Sequence, residues 1–275
     1  MSAPANVETG YADINGARLY YEVAGQGHPL VLLHFGLGDS RFWDDQFPVF
    51  AQRYRVLRYD LRGFGRSSMP AGDYSFRDDL AAMLRRFAMP SAYVIGCSMG
   101  GGLAIDFTLE HPAMVDALIP VAPGLSGFEW SEEDAAAFQA IEAAVKAGDL
   151  DRANELEVRL WVDGPRRTPD QVSPAVREKV REMNAILFQR HAELEAATSR
   201  QLDPPAAGRL GEIRAPTLLI IGDEDVQDLQ RAADHIVGHI PGARKAVMHG
   251  VAHAPNMEKP EEFNHIVLDF LAGLG

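Results

Sequence analysis

Hydrophobic positions along this chain gather into short apolar runs, separated by longer stretches with helical periodicity. The runs are Leu30–Leu33, Arg55–Tyr59, Ala92–Cys97, Ala117–Val121, Thr217–Ile221 and Ala243–Met248. They are continuous rather than alternating, which is how strands covered on both faces read. Between and after them lie helical patterns at Asp44–Arg53, Ser75–Ala88, Ser98–His111, Gln227–Ile240 and Pro260–Ala272. Strand alternating with helix predicts a parallel sheet wrapped by helices. Ahead of the first run, Tyr11–Val23 carries Asn15-Gly16 between two β-prone stretches. That dipeptide signals a hairpin, because both turn positions need φ > 0.

One segment breaks the alternation. From about Leu125 to Pro205 the pattern predicts no strand, only helices at Ser131–Lys146, Leu150–Val162 and Pro174–Ala197, ending before Asp203-Pro204-Pro205. The alanines at 135–147 read as helix propensity. An all-helical stretch placed between two strands of a sheet looks like a cap inserted above one edge. The expected division is a core at 1–124, a helical cap at 125–205 and the rest of the core at 206–275.

Composition narrows the class. The chain has 275 residues, 47% of them hydrophobic and 24% charged, which is ordinary for a soluble globular protein and excludes disorder and fibrous repeats. With 26 Lys and Arg against 39 Asp and Glu the formal charge is −13, a field that repels nucleic acid and anionic membrane surfaces. Neither is expected as a partner. The single Cys97 cannot form an intrachain disulfide, and no cysteine cluster offers a metal site. The N-terminal stretch lacks the basic start and apolar core of a signal peptide. No apolar run approaches the roughly 18 residues that a membrane helix needs. A reduced, cytoplasmic protein is expected, its oligomeric state open, with a homodimer among the options.

The sharpest chemical signal is Gly96-Cys97-Ser98-Met99-Gly100, a G-x-S-x-G that follows a strand-like run and opens a helix. Glycine and serine also make ordinary tight turns; the strand-to-helix context is what singles this one out. A nucleophile there sits on strained backbone, with no room for side chains beside it. The helix dipole favours negative charge at that end. Serine needs a base, and nine histidines compete. His253 leads, in a loop between the last strand and the final helix. His249 belongs to the strand end itself. His111, His191, His235, His239 and His265 read as capping or solvated residues. An acid must orient the imidazole. Asp223, Glu224 and Asp225 crowd the turn after Thr217–Ile221. Asp225 is preferred, four residues past the strand, with Asp223 capping the turn and Asp228 capping the next helix.

The order Ser98, Asp225, His253 is the one the α/β-hydrolases use. With Asp60-Leu-Arg-Gly63-Phe-Gly65-Arg-Ser67 and Leu32-Leu33-His34, the chain resembles α/β-hydrolases of the enol-lactonase and carboxylesterase kind. The resemblance covers nearly everything outside the cap. It implies a mostly parallel eight-stranded sheet flanked by helices, an inserted helical cap, and hydrolysis with no cofactor or metal. It also implies an oxyanion hole from the backbone N–H groups of Met99 and Gly36. Family members commonly carry His-Gly-x at the end of the third strand, and here Phe35 stands where that glycine would be. Phe35 is expected to line the pocket floor or adjust the loop. His34 is expected to hold the loop by hydrogen bonds, and Cys97 to be a small buried residue.

Phe35, Phe128, Trp130, Phe138, Trp161, Met183 and Phe188 are candidates for an apolar pocket wall, although large apolar residues at helical spacing also simply pack. The leading expectation is a serine hydrolase acting on a small apolar ester or lactone through an acyl-enzyme on Ser98. A serine nucleophile argues against halide displacement and epoxide opening, for which family members use aspartate. The same triad also serves carbon–carbon bond hydrolysis and perhydrolysis. A reading of another class is a small-molecule receptor on this fold with little turnover.

Overall fold

The computed structural model describes residues 6–131, 135–190, 193 and 196–274. Its strands are β1 (Glu8–Ile14), β2 (Ala17–Ala24), β3 (Pro29–Leu33), β4 (Arg55–Tyr59), β5 (Gly72–Tyr74), β6 (Ala92–Cys97), β7 (Val115–Val121), β8 (Ala197–Ser199), β9 (Leu218–Gly222) and β10 (Arg244–Met248). Its helices are α1 (Phe47–Phe50), α2 (Phe76–Arg86), α3 (Met99–Glu110), α4 (Ala135–Lys146), α5 (Leu150–Val158), α6 (Pro174–Gln189), α7 (Gln227–His239), α8 (Pro255–Glu258) and α9 (Pro260–Ala272). Eight strands form one sheet in the order β1-β2-β4-β3-β6-β7-β9-β10. The β1-β2 and β2-β4 pairs are antiparallel and the rest parallel.

The continuous apolar runs explain the layers. Along β3, Val31 and Leu33 join a core that includes Leu80 and Leu84 of α2, Phe107 of α3 and Ile236 of α7. Leu30 and Leu32 face the other way, toward Phe50 of α1 and Phe263 and Val267 of α9. Successive strand residues point to opposite faces, so a strand covered on both sides must be apolar at every position. The hairpin forms at Asn15-Gly16, with φ of 47° and 78°.

Three expectations change. The helix expected at Asp44–Arg53 is a 3-10 turn at Ser40–Trp43 followed by the single-turn α1. Pro48 has no N–H to give to residue 44, so the helix starts around it instead. The segment expected to hold no strand contains β8, which pairs in parallel with β5 as a separate two-stranded sheet. Three residues are too few to carry a readable alternation. The helix expected at Leu150–Val162 is α5 followed by a π turn at Arg159–Asp163. Residues 132–134 of the helix expected at Ser131–Lys146 lie outside the described residues. So do 191, 192, 194 and 195 of the one expected at Pro174–Ala197, and with them His191. No helix among the described residues is long and apolar enough to cross a membrane.

A buried ion pair fastens the hairpin to the main sheet's helices. Arg62 donates to Asp79 of α2 through Nε at 2.7 Å and Nη2 at 2.9 Å, and Nη2 also reaches the Asn15 carbonyl at 3.0 Å. Asn15 Nδ2 completes the ring at 2.9 Å from Asp79. Both charged partners are buried, so removing one strands the other. Arg62→Ala is expected to lower unfolding free energy by about 3–5 kcal/mol in urea titrations; a loss under about 1 kcal/mol would show that the pair does not anchor the hairpin.

Candidate active site

Ser98 sits between β6 and α3 at φ 54° and ψ −115°, a backbone region that side-chain-bearing residues rarely occupy. The flanking glycines explain how. A Cβ on Gly96 would collide with the Gly100 carbonyl, and one on Gly100 would lie 2.5 Å from the carbonyls of Leu33 and His34. The turn is pinned from below, where Ser98 N–H donates to Val121 at 2.9 Å and Ser98 carbonyl accepts from Gly102 at 2.8 Å and Gly124 at 3.0 Å. Met99 is the first residue of α3, so its N–H has no partner within the helix. A Cβ built on Gly36 would lie 3.8 Å from Met99 Cβ, which places those two residues side by side.

The loop after β10 brings His253 to the same place. Its Nδ1 lies 2.8 Å from Asp225 Oδ2, and both side chains are fully buried. Asp225 Oδ1 accepts from Val226 N–H at 2.8 Å. The carboxylate thus fixes the proton on Nδ1 and leaves Nε2 as the ring's basic nitrogen. Asp223, the competing acid, takes a different histidine. Its Oδ2 meets Nδ1 of exposed His249 at 2.8 Å, and its Oδ1 accepts from Gly250 N–H at 2.6 Å. Burial opposes its charge, but those two contacts outweigh it and hold the carboxyl below its ordinary range. So Asp223 braces the loop that follows β10 rather than its own turn. Asp228 does not cap α7 either: the N-cap is Val226, and Asp228 accepts from Ser131 N–H and Oγ, both at 2.8 Å.

A cavity of about 560 Å³ opens above these groups. Ser98 and His253 line it, together with Trp130, Phe138 and Trp161. Four expected wall residues do not. Phe35 is fully buried, stacked on Phe42 with ring centroids 4.3 Å apart, in the core under the loop. Its ring fills the space beside Gly38, where a Cβ would meet it at 2.5 Å. Phe128 packs off the cavity against His235 of α7 and the edge of Trp130. Met183 is in the core, and Phe188 is half-buried away from the cavity. His34 bridges as expected: Nε2 accepts from Leu61 N–H at 2.9 Å and Nδ1 donates to the Phe35 carbonyl at 2.8 Å. Complete burial lowers its pKa, which keeps it neutral.

A model of the alpha/beta hydrolase family matches residues 30–266, most of the chain. The chain belongs to that family. It is 30% identical to a protein of Azorhizobium caulinodans provisionally named carbamate hydrolase RutD, over 94% of this chain and 97% of that one. It is 29% identical to the pimeloyl-(acyl-carrier protein) methyl ester esterase of Nitrosospira multiformis, over 89% and 95%. Its fold matches the enol-lactonase of Burkholderia xenovorans LB400 with a TM-score of 0.78 at 22% identity, over 96% and 100%.

Several residues around this alpha/beta hydrolase's cavity escaped the sequence reading. Ala135, Gln139 and Glu142 of α4 line the cavity beside the expected Phe138, as do Gly124, Ser131, Asp228 and Leu229. The α4 set has the i, i+3, i+4, i+7 spacing of one helix face, a signal masked by its mixed polarity. Trp161, on the π turn, accepts the His253 N–H at 3.2 Å and lays its ring 4.7 Å from the imidazole. Arg167 and Glu258 clamp the histidine loop: Glu258 Oε2 receives Arg167 Nη1 at 2.6 Å, and Oε1 accepts Ala252 N–H at 2.8 Å. Among the described residues, Asp78, Glu110 and His111 could offer metal-ligand atoms to one ion. Both carboxylates there already carry arginines, Arg200 on Asp78 and Arg77 on Glu110.

Cys97, next to the serine, is fully buried. Burial, reinforced by the charge of Asp225, pushes its thiol well above the ordinary range, so no thiolate forms near neutrality. Ellman's reagent at pH 8 is expected to leave the native protein unmodified over an hour and to titrate the single cysteine after denaturation. Prompt reaction of the folded protein would contradict this placement.

Proposed function

We propose that the protein hydrolyses small carboxylic esters or lactones, with Ser98, His253 and Asp225 as its catalytic triad. The observation that carries this reading is Ser98 on strained backbone sharing one cavity with His253, whose Nδ1 is held by buried Asp225 at 2.8 Å. His253 Nε2 takes the Ser98 proton as Oγ attacks the carbonyl carbon. The imidazolium so formed is stabilised by Asp225. The oxyanion receives the N–H groups of Met99 and Gly36, and a single such donor has been worth about 2.7–4 kcal/mol in a serine protease. His253 then protonates the departing alkoxide. Water, deprotonated by the same nitrogen, attacks the acyl-enzyme and releases the acid.

The methyl ester esterase and the carbamate hydrolase among the relatives both carry names of carbonyl substrates with a heteroatom leaving group, which suits this machinery. In this reading residues 125–205 act as the cap over a core formed by 1–124 and 206–275, and the reaction needs no cofactor. The apolar rings of the cavity favour a small, uncharged reacting region. A cytoplasmic location fits the single unpaired cysteine.

Hydrolysis of p-nitrophenyl esters and simple lactones tests the reading. Ser98→Ala is expected to lower kcat by at least about 10³-fold, and Asp225→Asn by a comparable factor, with folded protein in each case. Binding with a thermal shift and no turnover would instead favour a receptor.

A further inference from the structure

The cavity wall is chemically lopsided. Trp130, Phe138 and Trp161 offer aromatic rings, with Phe138 and Trp161 centroids 5.9 Å apart at 55°. The charged side chains in the wall are Glu142 and Asp228, both acids; among the described residues no lysine or arginine lines it. Each carboxylate has a basic partner, Lys146 for Glu142 and Arg231 for Asp228, but both partners lie outside the wall. Glu142 is well exposed, so Lys146 screens it weakly. Asp228 is nearly buried, its side chain 4% exposed. Burial opposes its charge, but hydrogen bonds from Arg231 and Ser131 outweigh that and keep it ionised below the usual carboxylate range.

Ring faces carry a negative quadrupole, and several rings around one space can hold an ammonium group by cation–π attraction. Carboxylates at the same wall add attraction for a cation and repel a carboxylate. We infer that this cavity contains a subsite for a quaternary or protonated ammonium, so that the preferred ester carries that cation on one of its limbs. The proposal rests on the ester-hydrolase reading for its reaction, while the subsite itself stands on the wall. The rings desolvate the methyl or methylene groups around the nitrogen. Glu142 and Asp228 supply charge complementarity, and the carbonyl end reaches Ser98.

Choline and its neutral isostere 3,3-dimethylbutan-1-ol separate charge from shape. Each is titrated into the Ser98→Ala protein, followed by the fluorescence of Trp130 and Trp161. Choline is expected to bind at least about fivefold more tightly, with the gap shrinking to under twofold in a Phe138→Leu background and narrowing in Glu142→Gln. Both residues are solvent-exposed, so neither change threatens the fold. Equal affinities, or a gap that survives both substitutions, would overturn the subsite. Native protein is then compared on butyrylcholine and 3,3-dimethylbutyl butyrate, and on an ester pair with the same groups on the acyl limb, which identifies the limb. Hydrolysis of all these esters without any choline preference refutes the subsite and leaves ester hydrolysis standing. Choline preference with no hydrolysis of any ester supports the subsite and refutes the hydrolase reading.

Discussion

The chain cannot pass from β6 into α3 without placing Ser98 at a positive φ, and the surrounding structure is organised around that constraint. A residue held there costs on the order of 1–3 kcal/mol and persists only where its neighbours over-determine it. Here they do. Gly100 packs against the Leu33 and His34 carbonyls, Val121 accepts the serine N–H, and Gly124 reaches back to the serine carbonyl. His34 then ties the end of β3 to Leu61 beyond β4. The ends of four adjacent strands are thereby locked to a single turn. Met99 and Gly36 meet as a by-product of that locking rather than through any contact of their own side chains.

The histidine reaches the same spot by a separate route. Its loop, residues 249–254, has no helix or strand of its own, so it needs external supports, and those come from both sides. Asp223 and Glu224 hold the loop from the β9 turn, while Glu258 holds it from α8. From above, the π turn supplies the Trp161 carbonyl and Arg167 supplies a guanidinium to Glu258 and to the Gly250 carbonyl. The helical segment between β7 and β9 is therefore part of what positions the imidazole. Substitutions at Arg167 would act on the base from outside the cavity.

Much of this was legible in the chain because it depends on local rules. Continuous apolar runs marked the six strands β3, β4, β6, β7, β9 and β10, Asn15-Gly16 marked the hairpin, and G-x-S-x-G in a strand-to-helix context marked Ser98. The pairing of Asp225 rather than Asp223 with His253 followed from distance past the strand. What stayed hidden depends on long-range packing. Phe35 looked like a pocket residue because it follows His34 at the loop, yet its ring turns inward onto Phe42. Asp228 had the sequence position of a helix cap, but a residue 97 positions earlier claims its carboxylate. β5 and β8 are stabilised by each other across more than a hundred residues and carry no pattern alone.

The segment over the cavity is strapped at both ends and again between them, where Trp161 and Arg167 hold the histidine loop. Near its start Ser131 is tied to Asp228, and near its end β8 is hydrogen-bonded along β5, with Arg200 N–H adding to the Tyr74 carbonyl. A span fixed at both ends cannot swing open like a door on one hinge. Of its helices α4 is the least embedded, with Ala144 its one buried residue among those described. The wall facing the substrate space is therefore the part of the span with the least packing beneath it.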